Sequence, residues 1–125
     1  MTVYLDTHVV VWVYQSDIDE LSPMAARMLD SHDLMVSPTV LLELELLHEI
    51  GRIKISAEKL ITELGNQIDL QICPLSYQKV VEQAVNEKWT RDPFDRLIVA
   101  NAKAAGAPLL TRDERIRKHY RRALW

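Results

Sequence analysis

Residues Val3–Tyr14 read VYLDTHVVVWVY: an apolar stretch that ends on an acid at Asp6 and resumes as a second apolar run after Thr7 and His8. The first part suits a short buried strand. The second suits a helix, with Asp6 or Thr7 near its cap, so the segment reads as strand, turn and helix. The same unit recurs along the chain. Ser22-Pro23 opens MAARMLDSH, Leu34–Val36 gives a second strand, and Ser37-Pro38 opens TVLLELELLHEIG with Gly51 as its stop. Ser56 caps AEKLITELG, which Gly65 is expected to end. Leu70–Leu75 (LQICPL) forms a third strand stopped near Pro74, and Ser76 caps YQKVVEQAVNEKW. Asp92-Pro93 opens FDRLIVANAKAAG, Gly106 ends it, and Pro108–Thr111 is a fourth strand; DERIRKHYRRALW follows as a basic helix or turn leading to an apolar ALW with room for an edge strand. Short strands alternating with capped helices predict an α/β fold with a mainly parallel central sheet, because parallel neighbours need helical crossovers.

The 125 residues and 48% hydrophobic content suit one compact domain spanning 1–125. No basic leader or cleavage site precedes the first strand, and the apolar run Val9–Tyr14 is too short to cross a bilayer, so a cytoplasmic location without membrane contact is expected. The single cysteine, Cys73, excludes an internal disulfide and is expected to be buried at a strand end. The net charge of -3 hides an asymmetry. Residues 1–51 carry Asp6, Asp17, Asp19, Glu20, Asp30, Asp33, Glu43, Glu45 and Glu49 against Arg27 alone, whereas Lys88–Arg122 holds ten bases against Asp92, Asp95, Asp113 and Glu114. Such a division suits a cation-holding site beside a surface that attracts polyanions.

In parallel α/β sheets ligands bind beyond the carboxyl ends of the strands, where Asp6 and Asp113 fall. N-capping is a sufficient reason for either acid taken alone. Glu43 is harder to account for. At 100° per residue it shares a helix face with Val40, Leu46, Leu47 and Ile50, where a carboxylate without a partner is penalised, and few bases stand near it in sequence. Glu45 and Glu49 project elsewhere and read as solvated charges. Asp95 lies on the face of Ile98, Val99 and Ala102, one turn from Asp92, whose main role is the cap before Pro93. Gathered together, Asp6, Glu43, Asp95 and Asp113 would repel unless a hard cation, Mg²⁺ or Mn²⁺, neutralised them. Zinc fits poorly, since His8, His32, His48 and His119 lack ligand spacing. The natural chemistry of such a centre is hydrolysis of phosphodiesters by activated water. Thr111 is placed to hydrogen-bond a carboxylate or phosphate. Arg112, Arg115, Arg117 and Lys118, with Arg121 and Arg122, offer a phosphate-guiding surface. Trp12, Tyr14, Trp89 and Trp125 read as core or subunit-interface residues rather than base-stacking ones.

Through LDTHVVVW, VSPTVLLELELLHEIGRI, RDPFDRLIVANAKAAG, PLLTRD and the closing ALW, the chain resembles the PIN-domain nucleases, and among them the VapC-type toxins of toxin–antitoxin pairs. The resemblance runs nearly end to end. It implies a three-layer sandwich with a parallel sheet of four to five short strands, Mg²⁺- or Mn²⁺-dependent endoribonuclease activity on RNA, homodimers, and a cognate antitoxin. It carries acid roles onto Asp6, Glu43, Asp95 and Asp113, with Asp92 as a fifth. Other phosphate chemistries fit less well: an aspartate-nucleophile phosphatase wants a second Asp where His8 stands, Leu70–Leu75 lacks a receiver's phosphorylated Asp, and a phosphate loop wants more glycine than Gly51, Gly65 and Gly106 provide. The remaining alternative is a non-catalytic PIN-like module that binds RNA or protein and keeps its acids as a structural cation site.

Overall fold

The computed structural model describes Met1–Trp125. β1 (Thr2–Leu5) buries Val3, Tyr4 and Leu5 in succession, as expected of a parallel strand covered on both faces. Asp6 then turns the chain into α1 (Thr7–Gln15), which ends at Ser16 in the left-handed region (φ 57°) and leads to a 3₁₀ turn, Ile18–Glu20, that the sequence pattern does not announce. The Ser-Pro pairs act as expected. Ser22 accepts from the Ala25 N–H at 3.0 Å to open α2 (Pro23–Ser31), and Ser37 accepts from the Thr39 N–H at 3.2 Å to open α3 (Pro38–Glu49) after β2 (Asp33–Val36). Gly51, at φ 78°, turns the chain away from α3.

The second half departs from the sequence pattern in its boundaries. Gly65 does not end a helix: α4 runs Ala57–Ile68 and stops at Asp69, whose φ of 55° supplies the left-handed turn instead. Gly65 lies in the last turns of α4, where a β-carbon would sit 3.5 Å from the Leu70 carbonyl as the chain folds back. The third strand shrinks to β3 (Gln71–Ile72), because Cys73 and Pro74 already leave the ladder. α5 (Tyr77–Val85) stops at Asn86, four residues before Thr90, and α6 (Pro93–Ala104) follows; β4 (Leu109–Leu110), α7 (Glu114–His119) and the expected edge strand β5 (Ala123–Leu124) complete the chain.

All neighbouring strands pair in parallel, in the order β3-β2-β1-β4-β5. This is an α/β sandwich with helices flanking a five-stranded sheet. Tyr4 pairs with Met35 on one side and Leu109 on the other. The chain builds outward from β1 through β2 to β3, then crosses back to place β4 on the opposite side of β1. A crevice opens at that reversal, beyond the ends of β1 and β4. Cys73 is buried and accepts hydrogen bonds from the Tyr4 hydroxyl at 2.8 Å and the Asn101 amide at 3.1 Å, pinning the segment after β3 to β1 and α6. Desolvation beside Cys73 pushes the Tyr4 hydroxyl far above its ordinary pKa. No helix is long and apolar enough to cross a membrane.

Candidate active site

Asp6, Glu43, Asp92, Asp95 and Asp113 line one cleft of about 390 Å³, beyond the carboxyl ends of β1 and β4, together with His8, Trp12 and Arg112. The capping roles inferred for three of these acids are present, and they help to form the cluster. Asp6 Oδ1 accepts from the Thr7 N–H at 2.8 Å, Asp113 Oδ1 from the Ile116 N–H at 3.0 Å, and Asp92 Oδ1 from the N–H groups of Phe94 and Asp95 at 2.8 and 3.2 Å. The N-termini of α1, α6 and α7 thus converge on the cleft, and their dipoles ease the accumulation of negative charge. A cap consumes one carboxylate oxygen. For Asp92 and Asp113 the other remains outside the cap.

Thr111, fully buried, donates its hydroxyl to Asp6 Oδ2 at 2.6 Å and accepts the Asp113 N–H at 3.1 Å, so one side chain locks together the exits of β1 and β4. Thr7, which the sequence pattern offered only as an alternative to Asp6 near the helix cap, is also fully buried. Its amide holds Asp6 while its hydroxyl donates to Glu43 Oε1, coupling α1 to α3. A threonine inside a strand-to-helix turn looks like a cap residue in sequence, and only the packing of α1 on α3 reveals its second partner.

The reasons for Glu43 and Asp95 fare differently. Asp95 shares its face with Ile98, Val99 and Ala102, all essentially fully buried. The face ascribed to Glu43 is only partly buried: Val40 is in the core and Leu47 packs against it, but Leu46 is 39% and Ile50 69% exposed, and the other fully buried residue of α3 is Leu44. Glu43 is half-buried at the end of the cleft, with Thr7 rather than a base as its partner. Glu45 is a correction: it is no solvated charge, since its Oε1 accepts the Ala57 N–H at 3.1 Å and so supports the start of α4.

The ion pairs of the molecule engage Asp33, Glu87 and Glu20, and none engages the five acids. None of them is therefore paired with a basic side chain, although His8 opposes the rise at Asp6 and Glu43. Burial raises the Asp6 carboxyl above the usual range despite the hydrogen bonds from Thr111 and Thr7, and burial likewise raises Glu43. Asp95 is pushed up to about 7, first by burial and then by the charges of Asp92, Asp6, Asp113 and Glu43. As the side chains stand, no three of the molecule's carboxylate, imidazole and thiol groups are close enough to grip a metal ion together. The donor chemistry, all hard oxygen with charge to be neutralised, nevertheless suits Mg²⁺ or Mn²⁺, and a cation is what would draw mutually repelling carboxylates inward.

The basic residues divide. Arg112 lines the cleft and pairs with Glu20 at 2.5 Å. Arg115, Arg117 and Lys118 are not among its walls; Arg115 donates to the Trp89 carbonyl at 2.5 Å, and Arg117 to the Arg112 carbonyl at 3.3 Å.

The sequence pattern of the PIN domain matches residues 3–122. The chain belongs to the PIN-domain family. It is 33% identical over 122 residues to Ribonuclease VapC22 of Mycobacterium tuberculosis, covering 94% of this chain and 92% of that protein. Two solved structures share its fold at low identity: VapBC2 from Rickettsia felis bound to a promoter DNA fragment (TM-score 0.71, 18% identity, covering 100% of this chain and 98% of that one) and a toxin–antitoxin complex from Klebsiella pneumoniae (TM-score 0.64, 16% identity, covering 98% and 96%).

Proposed function

We propose that this PIN domain is a Mg²⁺- or Mn²⁺-dependent endoribonuclease and the toxin of a toxin–antitoxin pair, forming a homodimer and held by a cognate antitoxin. What carries the reading is the convergence on one cleft of five carboxylates, from the caps of α1, α6 and α7 and from within α3 and α6, with no basic side chain paired to them. Kinship with Ribonuclease VapC22 supports RNA as substrate, and the toxin–antitoxin complexes among the structural neighbours support the partner.

Asp6, Asp95 and Asp113 would hold the cation, with Glu43 as a further ligand or as the orienter of the attacking water and Asp92 contributing its second oxygen. When bound, such a cation lowers the pKa of water and stabilises the charge that builds on phosphorus. Thr111 fixes Asp6 with its carboxylate turned to the cleft, and Thr7 holds Glu43 by one oxygen, leaving Oε2 to accept a proton from the water whose oxygen bonds to phosphorus as one P–O ester bond breaks and the departing oxygen takes a proton from solvent. No side-chain nucleophile is required.

The test is cleavage of a labelled single-stranded RNA with Mg²⁺ or Mn²⁺, with EDTA, and with Asp6→Asn or Asp113→Asn. Both substitutions keep an oxygen able to cap the helix, so the circular dichroism spectrum should persist while cleavage disappears in the variants and in EDTA. Cutting that survives both substitutions in pure protein would remove these acids from the mechanism. The open spacing of the acids favours one rival, a non-catalytic RNA- or protein-binding module; RNA bound by the wild-type protein but never cut, at any divalent metal concentration, would establish it.

A further inference from the structure

One wall of the cleft is aromatic, and it faces the single arginine or lysine among the residues that line the cleft. His8, Val9 and Trp12 lie along one face of α1, running away from Asp6, and Arg112 faces them from the loop before α7. Trp12 is half-buried, backed by the core and tilted against Trp125 with ring centroids 5.7 Å apart. The His8 ring, exposed, lies 6.1 Å from it, and the Arg112 guanidinium carbon is 5.7 Å from the Trp12 ring centre. We propose that Trp12, with His8 and Arg112, forms a nucleotide subsite: the indole stacks one base of a single-stranded RNA, and Arg112 holds the phosphate beside it. The proposal rests on the cleft being a ribonuclease centre.

Three physical points favour it. Single-stranded RNA is gripped by stacking unpaired bases on aromatic side chains and arginine planes, and an indole already fixed against Trp125 loses little freedom when a base lands on it. An acid-filled cleft repels phosphates, so a polyanion needs a cation at its rim, and Arg112 is the one available there. Its present contacts are weak competition: the exposed guanidinium lies over the Trp12 ring in a cation–π contact and swings aside when a base stacks there. The Arg112–Glu20 pair is 56% and 45% exposed, and a surface ion pair of that kind contributes little, so a phosphate can displace Glu20. Six residues of helix separate Asp6 from Trp12, about 9 Å along the axis, which places the stacked base on a nucleotide neighbouring the scissile bond. Trp12, a core or subunit-interface residue by its sequence pattern, therefore has one side against the core and another on the cleft.

The experiment uses a single-stranded RNA whose cleavage position has first been mapped, and the same RNA with an abasic nucleotide at each flanking position in turn. At one neighbouring position the abasic RNA should raise KM roughly 5- to 100-fold with little change in kcat. Trp12→Leu, which keeps apolar packing, should raise KM for the intact RNA by a similar factor and be indifferent to the abasic change, the non-additivity expected of two partners in one contact. Trp12→Phe should fall between, which guards against a folding defect in the leucine variant, and thermal unfolding checks both. Glu20→Gln should lower KM, and Arg112→Gln should raise it and flatten its dependence on salt. Normal cleavage with a flat abasic scan, or abasic and Trp12→Leu effects that simply multiply, would overturn the subsite. Absence of cleavage by the wild-type protein would instead overturn the ribonuclease reading beneath it.

Discussion

At the scale of single residues, the two buried threonines govern the cleft as much as the acids do. Thr7 and Thr111 are fully buried, and each spends its hydroxyl on a carboxylate from another element. Thr7→Val is nearly isosteric and preserves the backbone N–H that donates to the capping carboxylate of Asp6, so it removes only the hold on Glu43. Loss of such a supporting hydrogen bond is expected to lower cleavage roughly 10- to 100-fold, with Thr7→Ser restoring most of it and thermal stability changing little. Equal activity of the valine and wild-type proteins would make the contact incidental. This residue was not legible in sequence, because the pairing of Thr7 with Glu43 spans 36 positions and depends on how α1 meets α3. Asp95 was legible for the right reason, its neighbours Ile98, Val99 and Ala102 being buried. Glu43 was legible for a reason only half sound, since Leu46 and Ile50 on its supposed apolar face are exposed.

At the scale of elements, starts were easier to read than ends. A serine or aspartate before proline fixes a helix start by local hydrogen bonding, and Ser22, Ser37 and Asp92 all behave so. Ends depend on where the chain must go next, which is why Gly65 passes through α4 and Asp69 ends it. The start of α6 offers a way to separate structural from chemical roles. Asp92 caps two N–H groups and also lines the cleft. Asp92→Asn keeps a capping oxygen and should leave stability nearly unchanged, whereas Asp92→Ala should cost about 1 kcal/mol, a fall of ~4 °C in Tm. If the second oxygen of Asp92 serves the cleft, both variants lower activity alike; if it only caps, activity follows stability and the asparagine variant cuts as the wild type does. Thermal melts read beside RNA cleavage rates decide between these.

At the scale of the whole molecule, the order β3-β2-β1-β4-β5 sets the electrostatics, because it brings the ends of β1 and β4 side by side and with them acids more than 100 residues apart in sequence. Parallel strands and helical crossovers were legible from the alternation of short apolar runs with capped helices; the order of the strands was not, since nothing local states on which side of β1 the chain returns. The charge gathered at that crevice has a measurable consequence. Asp6, Glu43 and Asp95 all keep their protons to higher pH folded than unfolded, Asp95 to about 7, because burial and the neighbouring Asp92 and Asp113 oppose ionisation, while His8 eases it slightly at Asp6 and Glu43. In the unfolded chain the same groups ionise near pH 4. The folded protein therefore holds more protons between those limits, and the stability they contribute, complete below about pH 4, drains away as pH rises through about 7. In EDTA, Tm should accordingly fall between pH 5.5 and pH 8. Divalent cations bind the ionised carboxylates, so Mn²⁺ should raise Tm strongly at pH 8 and hardly at pH 5.5. A Tm independent of pH in EDTA, or a Mn²⁺ effect equal at both pH values, would mean that the acids of the crevice are not electrostatically coupled as their placement requires, and the cation reading would lose its physical basis.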